Sequence, residues 1–293
     1  MSKYPIYIPS KGRADASYTA NFFIKDEVDF KLVVEPQEAK QYTAKFGKNR
    51  ILILPFSNLG QGSLPARNWI REHSIKNGFS RHWQFDDNIR SVRHWYKLKR
   101  VRCNANYGIN AIEEFTDRYE NIGISGFNYT FFTIGKGGTP QKQPYYLNTH
   151  VYSACLINNR MPFKWRLKYN EDTDLCLQVL TNNLCTVAFN AFMVDKIQTM
   201  IMKGGNTDEL YKNKGRLIMA RTLEEMWPEY VTVHWRFGRP QHYIKNNWRD
   251  FKTPLKRRSD IDWDNLPKVD NHGMKLVAVK EIKSKRIKEM LNG

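Results

Sequence analysis

The chain has 293 residues, of which 41% are hydrophobic and 13% aromatic, enough for a full core and too many for a wholly disordered protein. No apolar run approaches the roughly 20 residues of a transmembrane helix, so a membrane-spanning protein is not expected. Lysine and arginine total 47 against 29 aspartate and glutamate, a net charge of +18 that favours a polyanionic partner, although solubility alone could explain it.

The cellular setting is indicated by the start of the chain and by the cysteines. The first residues run directly into a predicted strand, which is not typical of a signal peptide. Cys103, Cys155, Cys176 and Cys185 show no CxxC spacing, which argues against a zinc site and favours small core residues in a reducing compartment. We therefore expect a cytoplasmic protein.

The first hundred residues alternate short apolar runs with helical patterns. The apolar runs predict strands at residues 5–8, 30–34, 51–54 and 83–85, and the helical patterns lie at 15–24, 36–46 and 64–76. Such a rhythm predicts an α/β protein with a mostly parallel sheet and helices on both faces. Because ligands of these sheets bind beyond the carboxyl ends of the strands, one crevice is expected between loops 9–13, 35–36, 55–63 and 86–88.

The pattern changes in the second half. Longer strands are predicted at 122–132 and 145–157 around a flexible loop at 135–140, followed by a helix at 172–182, a strand at 185–189 and a helix at 210–227. We expect one catalytic domain over residues 1–227, with a nucleotide-binding half to about 100 and an acceptor half beyond it. A basic, aromatic extension follows over 228–293 and ends in a basic amphipathic helix at 282–291.

An acidic pair closes the fourth predicted strand. Asp86 and Asp87 are adjacent, and Asn88 stands in the third place of the DxD-like arrangement. Carboxylates so placed suit Mn²⁺ or Mg²⁺, which could neutralise a departing diphosphate. The alternative is a pair of aspartates that cap a turn.

A second acidic cluster opens the helix predicted at 172–182. One carboxylate among Glu171, Asp172 and Asp174 can cap the helix while a neighbour acts as a general base toward a substrate hydroxyl. The alternative is a purely capping cluster, and Asp174 is the member most expected to be structural.

Two loops before these clusters suit a nucleotide. Ser10-Lys11-Gly12-Arg13 combines a flexible turn with amide donors and two cations. The glycine-rich segment 60–68 enters a helix, where Arg67 and Asn68 could contact ribose or phosphate. It lacks the GK[ST] ending of a Walker loop, which disfavours ATP hydrolysis.

These residues together resemble a known family. The Ile8-Pro9-Ser10-Lys11-Gly12-Arg13 run, the Asp-Asp-Asn after strand four and the late Glu-Asp-Thr-Asp-Leu are similar to GT-A-fold glycosyltransferases, which have a Rossmann-like α/β sheet. More narrowly, residues 4–206 resemble the TET-associated glycosyltransferases of bacteriophages, which decorate hydroxymethylated pyrimidines in DNA.

The resemblance implies roles for single residues. Asp172 matches the catalytic base of inverting enzymes, with Glu171 beside it, and Asp87 matches the ligand of Mn²⁺ or Mg²⁺. His234 is a candidate for the C-terminal metal-ligand histidine that some GT-A enzymes have. Together with the loops above, the resemblance predicts that a nucleoside-diphosphate sugar, with a UDP-sugar expected, contacts Pro9, Ser10, Lys11, Gly12, Arg13, Glu35, Arg67, Asn68 and Asp86.

Basic, aromatic segments at 90–100 and 235–243 are typical of nucleic-acid capture, because cations bind phosphates while rings stack on an unpaired base. A base inside a duplex would have to be flipped out. The predicted contacts to DNA are Arg90, Arg93, Trp95, Lys97, Arg236, Arg239, Lys283, Lys285, Arg286 and Lys288. Alternatively, these rings are ordinary core with solvated charges between them.

The predicted function is therefore a metal-assisted, inverting glycosyltransferase that moves a sugar from a nucleoside-diphosphate sugar to a hydroxymethylated pyrimidine in duplex DNA. The same fold with a protein, glycan or lipid acceptor is the main alternative. A metal-dependent nuclease and a non-catalytic DNA-binding protein are less favoured, because the first needs no nucleotide crevice and the second gives the acidic clusters no task.

Overall fold

A computed structural model describes residues 1–96, 99–134, 143–197, 215–236 and 238–266. Its first ten strands are β1 (Ile6–Pro9), β2 (Lys31–Val34), β3 (Ile51–Ile53), β4 (Arg81–Phe85), β5 (Ile89–Tyr96), β6 (Lys99–Cys103), β7 (Ile122–Tyr129), β8 (Tyr145–Leu147), β9 (Ala154–Asn158) and β10 (Cys185–Lys196). A hairpin follows with β11 (Val231–Arg236) and β12 (Arg239–Ile244). The α-helices are α1 (Tyr18–Lys25), α2 (Ala39–Phe46), α3 (Leu64–Lys76), α4 (Ala105–Thr116), α5 (Glu171–Thr181) and α6 (Gly215–Met226). Within the described ranges, no helix is long and apolar enough to cross a membrane.

The first ten strands form one mixed sheet. Its order is β3-β2-β1-β4-β9-β7-β10-β5-β6, and β8 also pairs with β10. Strands β5, β8 and β9 run opposite to the other seven, so most strands share one direction. The predicted α/β class, its mostly parallel sheet and the first four strands are confirmed.

Helices cover both faces of the sheet because successive strand residues point to opposite sides. In β1, Ile6 and Ile8 enter the core shared with α1 and α2, whereas Tyr7 packs with Ile70 of α3. Leu177 of α5 and Leu223 of α6 belong to a third hydrophobic core, separate from these two. The sheet is thus buried on both faces, which leaves the strand ends as the accessible place for a ligand.

Three features differ from the predicted elements. The strand predicted at 145–157 is two strands, because Asn148 and Ser153 have φ angles of 55° and 61°, which interrupt extended backbone. Strand β10 continues past residue 189 to Lys196. Helix α4 and the hairpin β5–β6 were not predicted as regular elements, because tertiary pairing stabilises segments whose local pattern is mixed.

The described part of the C-terminal extension packs on the rest of the chain. Val231, Ile244 and Trp248 are buried in the same core as α5. The amide of Glu120 donates to the Lys256 carbonyl at 2.9 Å. The domain boundary at residue 228 stays a prediction, and the helix predicted at 282–291 lies outside the described residues.

Candidate functional site

The candidate site lies at the edge of the sheet where β1, β4, β7 and β10 end and where β9 begins. The loops predicted to share a crevice do meet there. Ser10 and Arg13 contact Asp87, Lys11 contacts Glu35, and Glu35 accepts from the Asn58 amide at 3.2 Å.

Asp87 is 5% exposed and has both carboxylate oxygens engaged. Arg13 Nη1 donates to Oδ1 at 2.7 Å, and Ser10 Oγ donates to Oδ2 at 2.7 Å. Burial raises the pKa of Asp87, although the Arg13 charge opposes that shift. The carboxylate therefore fixes the loop after β4 to the loop after β1.

The acidic pair is held in place by helix α1. Thr19 is fully buried, and its Oγ1 donates to the Asp86 carbonyl at 2.5 Å while accepting from the Ile89 amide at 3.0 Å. The Thr19 amide donates to the Asp87 carbonyl at 3.2 Å. One threonine thus fixes the backbone on both sides of the acidic pair.

Asp86 is in contact with two cations and one hydroxyl group. Arg67 Nη2 donates to Oδ1 at 2.7 Å, whereas Ser153 Oγ and Lys196 Nζ donate to Oδ2 at 2.6 and 2.9 Å. Lys196 also donates to Ser153 Oγ at 2.7 Å and lies 3.4 Å from the hydroxyl of Tyr129. Burial would raise the pKa of Asp86, but the charges of Lys196 and Arg67 outweigh it and hold that pKa well below its usual range.

Asp172, at the start of α5, differs from Asp86 because its pKa is raised and not lowered. Its Oδ1 is buried and has no hydrogen-bond partner among the described residues. Burial and the neighbouring Glu171 charge raise the pKa of Asp172 to about 7 against the weaker effect of Arg67. Glu171 accepts from Ser63 Oγ at 3.0 Å and lies 3.5 Å from Arg67 Nε. A carboxyl that titrates near neutral pH is suited to proton transfer.

Asp174, two residues further along α5, is saturated with donors. Arg166 Nη2 donates at 2.5 Å, and Gln178 Nε2 and Trp227 Nε1 each donate at 2.8 Å. Asp174 is fully buried, so these contacts make it the structural anchor of the helix start, as expected from the sequence.

The loop after β1 is arranged around backbone donors and acidic partners. The Gly12 amide donates to Glu38 Oε1 at 2.5 Å, and Lys11 Nζ lies 3.2 Å from Glu35 Oε1. Pro9 is the last residue of β1 and pairs with Val33. The residues of this loop that were predicted to bind the donor are therefore in contact with the other predicted donor residue, Glu35, through Lys11.

Arg67 and Asn68 sit side by side but have different partners. Arg67 is 4% exposed, stacks 4.8 Å from the Trp165 ring and contacts Asp86, which joins α3 to the acidic pair. The Asn68 side chain instead exchanges two hydrogen bonds with the backbone of Trp165, at 2.9 and 3.1 Å. In this arrangement Asn68 holds the loop before α5, and Arg67 is the one that faces the acidic pair.

The acidic pair does not fit the divalent metal expected at Asp87. Both Asp87 oxygens accept from Arg13 and Ser10, and Asp86 is neutralised by two cations. Asn88 offers one buried neutral oxygen without a described partner, which is far from the roughly six oxygens that Mg²⁺ prefers. No group of three His, Cys, Asp or Glu side chains in the described ranges is placed to hold a metal.

His234 lies apart from this cluster. It is exposed on β11, shares a 2.9 Å hydrogen bond with Thr232 Oγ1 and packs edge-on against Tyr243. No described contact joins it to Asp87, so the structure does not bring the two predicted metal ligands together.

Those predicted DNA-contacting residues that the structure describes lie on two hairpins. On β5, Arg90 is exposed and Arg93 Nη2 donates to Asp195 at 3.1 Å, while Arg100 of β6 lies 5.9 Å from the Trp95 ring. On the second hairpin, Arg236 and Arg239 face each other across β11 and β12. Lys97, Lys283, Lys285, Arg286 and Lys288 lie outside the described residues.

Sequence reasoning missed Ser153, Tyr129 and Lys196, which complete the cluster around Asp86. A lysine at the end of an apolar strand was the only available indication for Lys196. It could not be used because the strand was predicted to end at residue 189.

Sequence reasoning also missed a row of aromatic rings that leads from the surface to α5. Phe131 and Phe132 are 53% and 40% exposed, and Phe132 packs against His150 at 5.3 Å. His150 stacks on Tyr152 at 4.4 Å, and the Tyr152 hydroxyl lies 3.1 Å from Thr173 Oγ1, next to Asp172. We call Phe131, Phe132, His150 and Tyr152 the aromatic ladder.

The α/β sheet with a polar cluster at its carboxyl edge places the protein in the Rossmann-like class of folds. A family model described as TET-Associated Glycosyltransferase matches residues 4–205, and the chain belongs to this family. It is therefore a glycosyltransferase, an enzyme that transfers a sugar to an acceptor.

Other comparisons add little. No curated protein matches the chain. A mannose-6-phosphate isomerase from Helicobacter pylori has a TM-score of 0.30 and 9% identity, covering 88% of this chain and 94% of that protein. A likeness this weak carries no argument.

Proposed function

We propose that this glycosyltransferase moves a sugar from a nucleoside-diphosphate sugar to the hydroxymethyl group of a pyrimidine in DNA, with inversion at the anomeric carbon. The observation that carries the proposal is Asp172, whose buried Oδ1 has no described hydrogen-bond partner and whose pKa is raised to about 7. An acceptor hydroxyl that reaches this carboxylate can give up its proton as its oxygen attacks the sugar.

The donor side of the proposal rests on the loop after β1. In that loop Arg13 pairs with Asp87 and Lys11 pairs with Glu35, at the carboxyl ends of the strands. Cations and amide donors at this edge suit a nucleoside diphosphate. The divalent metal expected at Asp87 is not part of the proposal, since the oxygens of that carboxylate are already engaged.

The acceptor side rests on the aromatic ladder and on charge. Exposed rings at Phe131 and Phe132 can stack on a base that has left the duplex, and the ladder ends beside Asp172. Arg100 Nη1 donates to the Thr130 carbonyl at 3.0 Å, which places a cation for the phosphate backbone next to these rings. The net charge of +18 favours the same partner.

The test is a transfer assay with duplex oligonucleotides that contain hydroxymethylcytosine, hydroxymethyluracil or only unmodified bases. Each is incubated with a panel of UDP- and GDP-sugars, and the digested nucleosides are analysed by mass spectrometry for an added sugar. We expect addition to a hydroxymethylated base only. Transfer to protein or glycan acceptors with none to any DNA would contradict the proposal.

A double variant, Phe131→Ala with Phe132→Ala, tests the acceptor surface. Loss of a stacked base should raise the KM for DNA about tenfold and leave the donor KM unchanged. The matched control is Phe79→Ala, which removes another exposed ring, 39% accessible, at the opposite edge of the sheet. An equal effect of both changes would remove the ladder from the acceptor site.

A further inference from the structure

Lys196 occupies a position that the function described so far does not explain. It is the last residue of β10, its side chain is 12% exposed, and its ammonium group is held by Asp86 and Ser153 at 2.9 and 2.7 Å. A lysine this buried is costly unless its charge is used or compensated. Here Asp86 already has a second cation, Arg67, so compensation of that carboxylate does not require Lys196.

The acidic pair is compensated without a metal. Asp87 is in contact with Arg13, and Asp86 with Arg67 and Lys196. A divalent cation would have to displace buried ion pairs, which is costly because it leaves charges without partners. The oxygens of the acidic pair are therefore already occupied, and the same contacts hold three cations at the edge of the sheet where the proposed donor would bind.

Lys196 also has a donor to spare. An ammonium group has three N–H bonds, and its contact with the Tyr129 hydroxyl is long, at 3.4 Å, compared with those to Asp86 and Ser153. A phosphate oxygen is a stronger acceptor than a tyrosine hydroxyl and could take this third bond without breaking the other two.

We infer that Lys196, with Arg67 and Arg13, binds the diphosphate of the donor and takes over the role of the divalent metal, so that the enzyme works without one. In the transfer step, the acceptor oxygen forms a bond to the anomeric carbon while the bond from that carbon to the diphosphate oxygen breaks. The acceptor proton passes to Asp172, and the electron pair leaves on the diphosphate, where the cations stabilise it. This inference rests on the proposed nucleoside-diphosphate donor and not on the nature of the acceptor.

The first test needs neither DNA nor a variant. Melting temperatures of the wild-type protein are measured with UDP, GDP, CDP and ADP, once in excess EDTA and once in Mn²⁺, because a bound ligand stabilises the folded state. Slow hydrolysis of the matching sugar nucleotide by water is followed under the same conditions. We expect a nucleotide-dependent rise in melting temperature and undiminished hydrolysis in EDTA. Binding or hydrolysis that appears only with Mn²⁺ would overturn the inference while leaving the proposed transferase function intact.

The second test assigns the role to Lys196. Lys196→Met should weaken nucleotide affinity about 10- to 100-fold in EDTA, as expected for a lost charged hydrogen bond, and Lys196→Arg should restore part of it. The control is Lys256→Met, which removes an exposed lysine paired with Glu120 outside the site. Unchanged affinity in a folded Lys196→Met protein would overturn the assignment, and the EDTA comparison on wild-type protein decides the inference if that variant does not fold.

Discussion

The two acidic clusters at the edge of the sheet contain the same kind of side chain in opposite electrostatic states. Asp86 has two cations on its oxygens, and its pKa is held well below its usual range. Asp172 has an oxygen without a described partner, and its pKa is raised to about 7 by burial and by Glu171. The partners of an aspartate therefore decide whether it is permanently charged or able to exchange a proton.

The largest effect that we expect from this difference is the loss of turnover in the variant Asp172→Asn. An amide cannot accept the acceptor proton, so kcat should fall by about 10²- to 10⁴-fold while donor affinity stays the same. Steady-state kinetics and nucleotide titration measure the two quantities. Near wild-type turnover in a folded variant would place the base elsewhere.

The pH dependence of turnover sharpens the same contrast. Asp172 must be ionised to accept a proton, so kcat should drop about tenfold per pH unit below about 7 and level off above it. Asp86 stays ionised throughout, because its pKa is lowered, and should add no second transition in this range. Single-turnover rates between pH 5 and 9 test this, and a flat profile would contradict the raised pKa of Asp172.

Asp174 offers a comparison within one helix turn. Asp174→Ala removes the acceptor of Trp227 Nε1, one of the two acceptors of Gln178 Nε2 and the ion-pair partner of Arg166, so the free energy of unfolding should fall by about 2 to 4 kcal/mol. Urea unfolding gives this value, with Asp172→Asn as the matched change nearby. Similar losses in both variants would mean that the two aspartates share a structural role.

The smallest expected effect is a gain of stability in Asp172→Asn. The folded-state pKa of Asp172 lies above that of an unfolded chain, so ionisation of this group costs wild-type stability as the pH rises from about 4 to 7. The variant avoids this cost and should be more stable than wild type by about 1 to 2 kcal/mol at pH 8, with a smaller difference at pH 5. Thermal unfolding at the two pH values measures it. A variant that is less stable at pH 8 would contradict the assigned state of Asp172.

Local patterns predicted much of the nucleotide-binding half. Strands β1 to β4 alternate with helices whose apolar faces are evident in the sequence, and α3 begins and ends where predicted, at Leu64 and Lys76. The acidic clusters were found because adjacent carboxylates stand out in a basic chain. Their separate electrostatic states could not be found, since these depend on Arg67 and Lys196, which are distant in sequence.

The second half was predicted less well for a related reason. Strand β10 pairs with β7, β5 and β8, and its register with β7 shifts between Phe189 and Met193. Such a strand follows its neighbours rather than a simple alternation of its own residues. Ser153 enters the site because of a left-handed turn between two strands, which a run of apolar residues does not indicate.

Thr19 joins the first helix to the acidic pair, and this has a genetic consequence. Its hydroxyl and amide hold the backbone on both sides of Asp86 and Asp87, although the residue is fully buried and out of reach of any substrate. A selection for inactive mutants should therefore recover substitutions at Thr19 alongside those at Asp172. Such alleles would be mistaken for folding defects unless the abundance of the protein were measured with its activity.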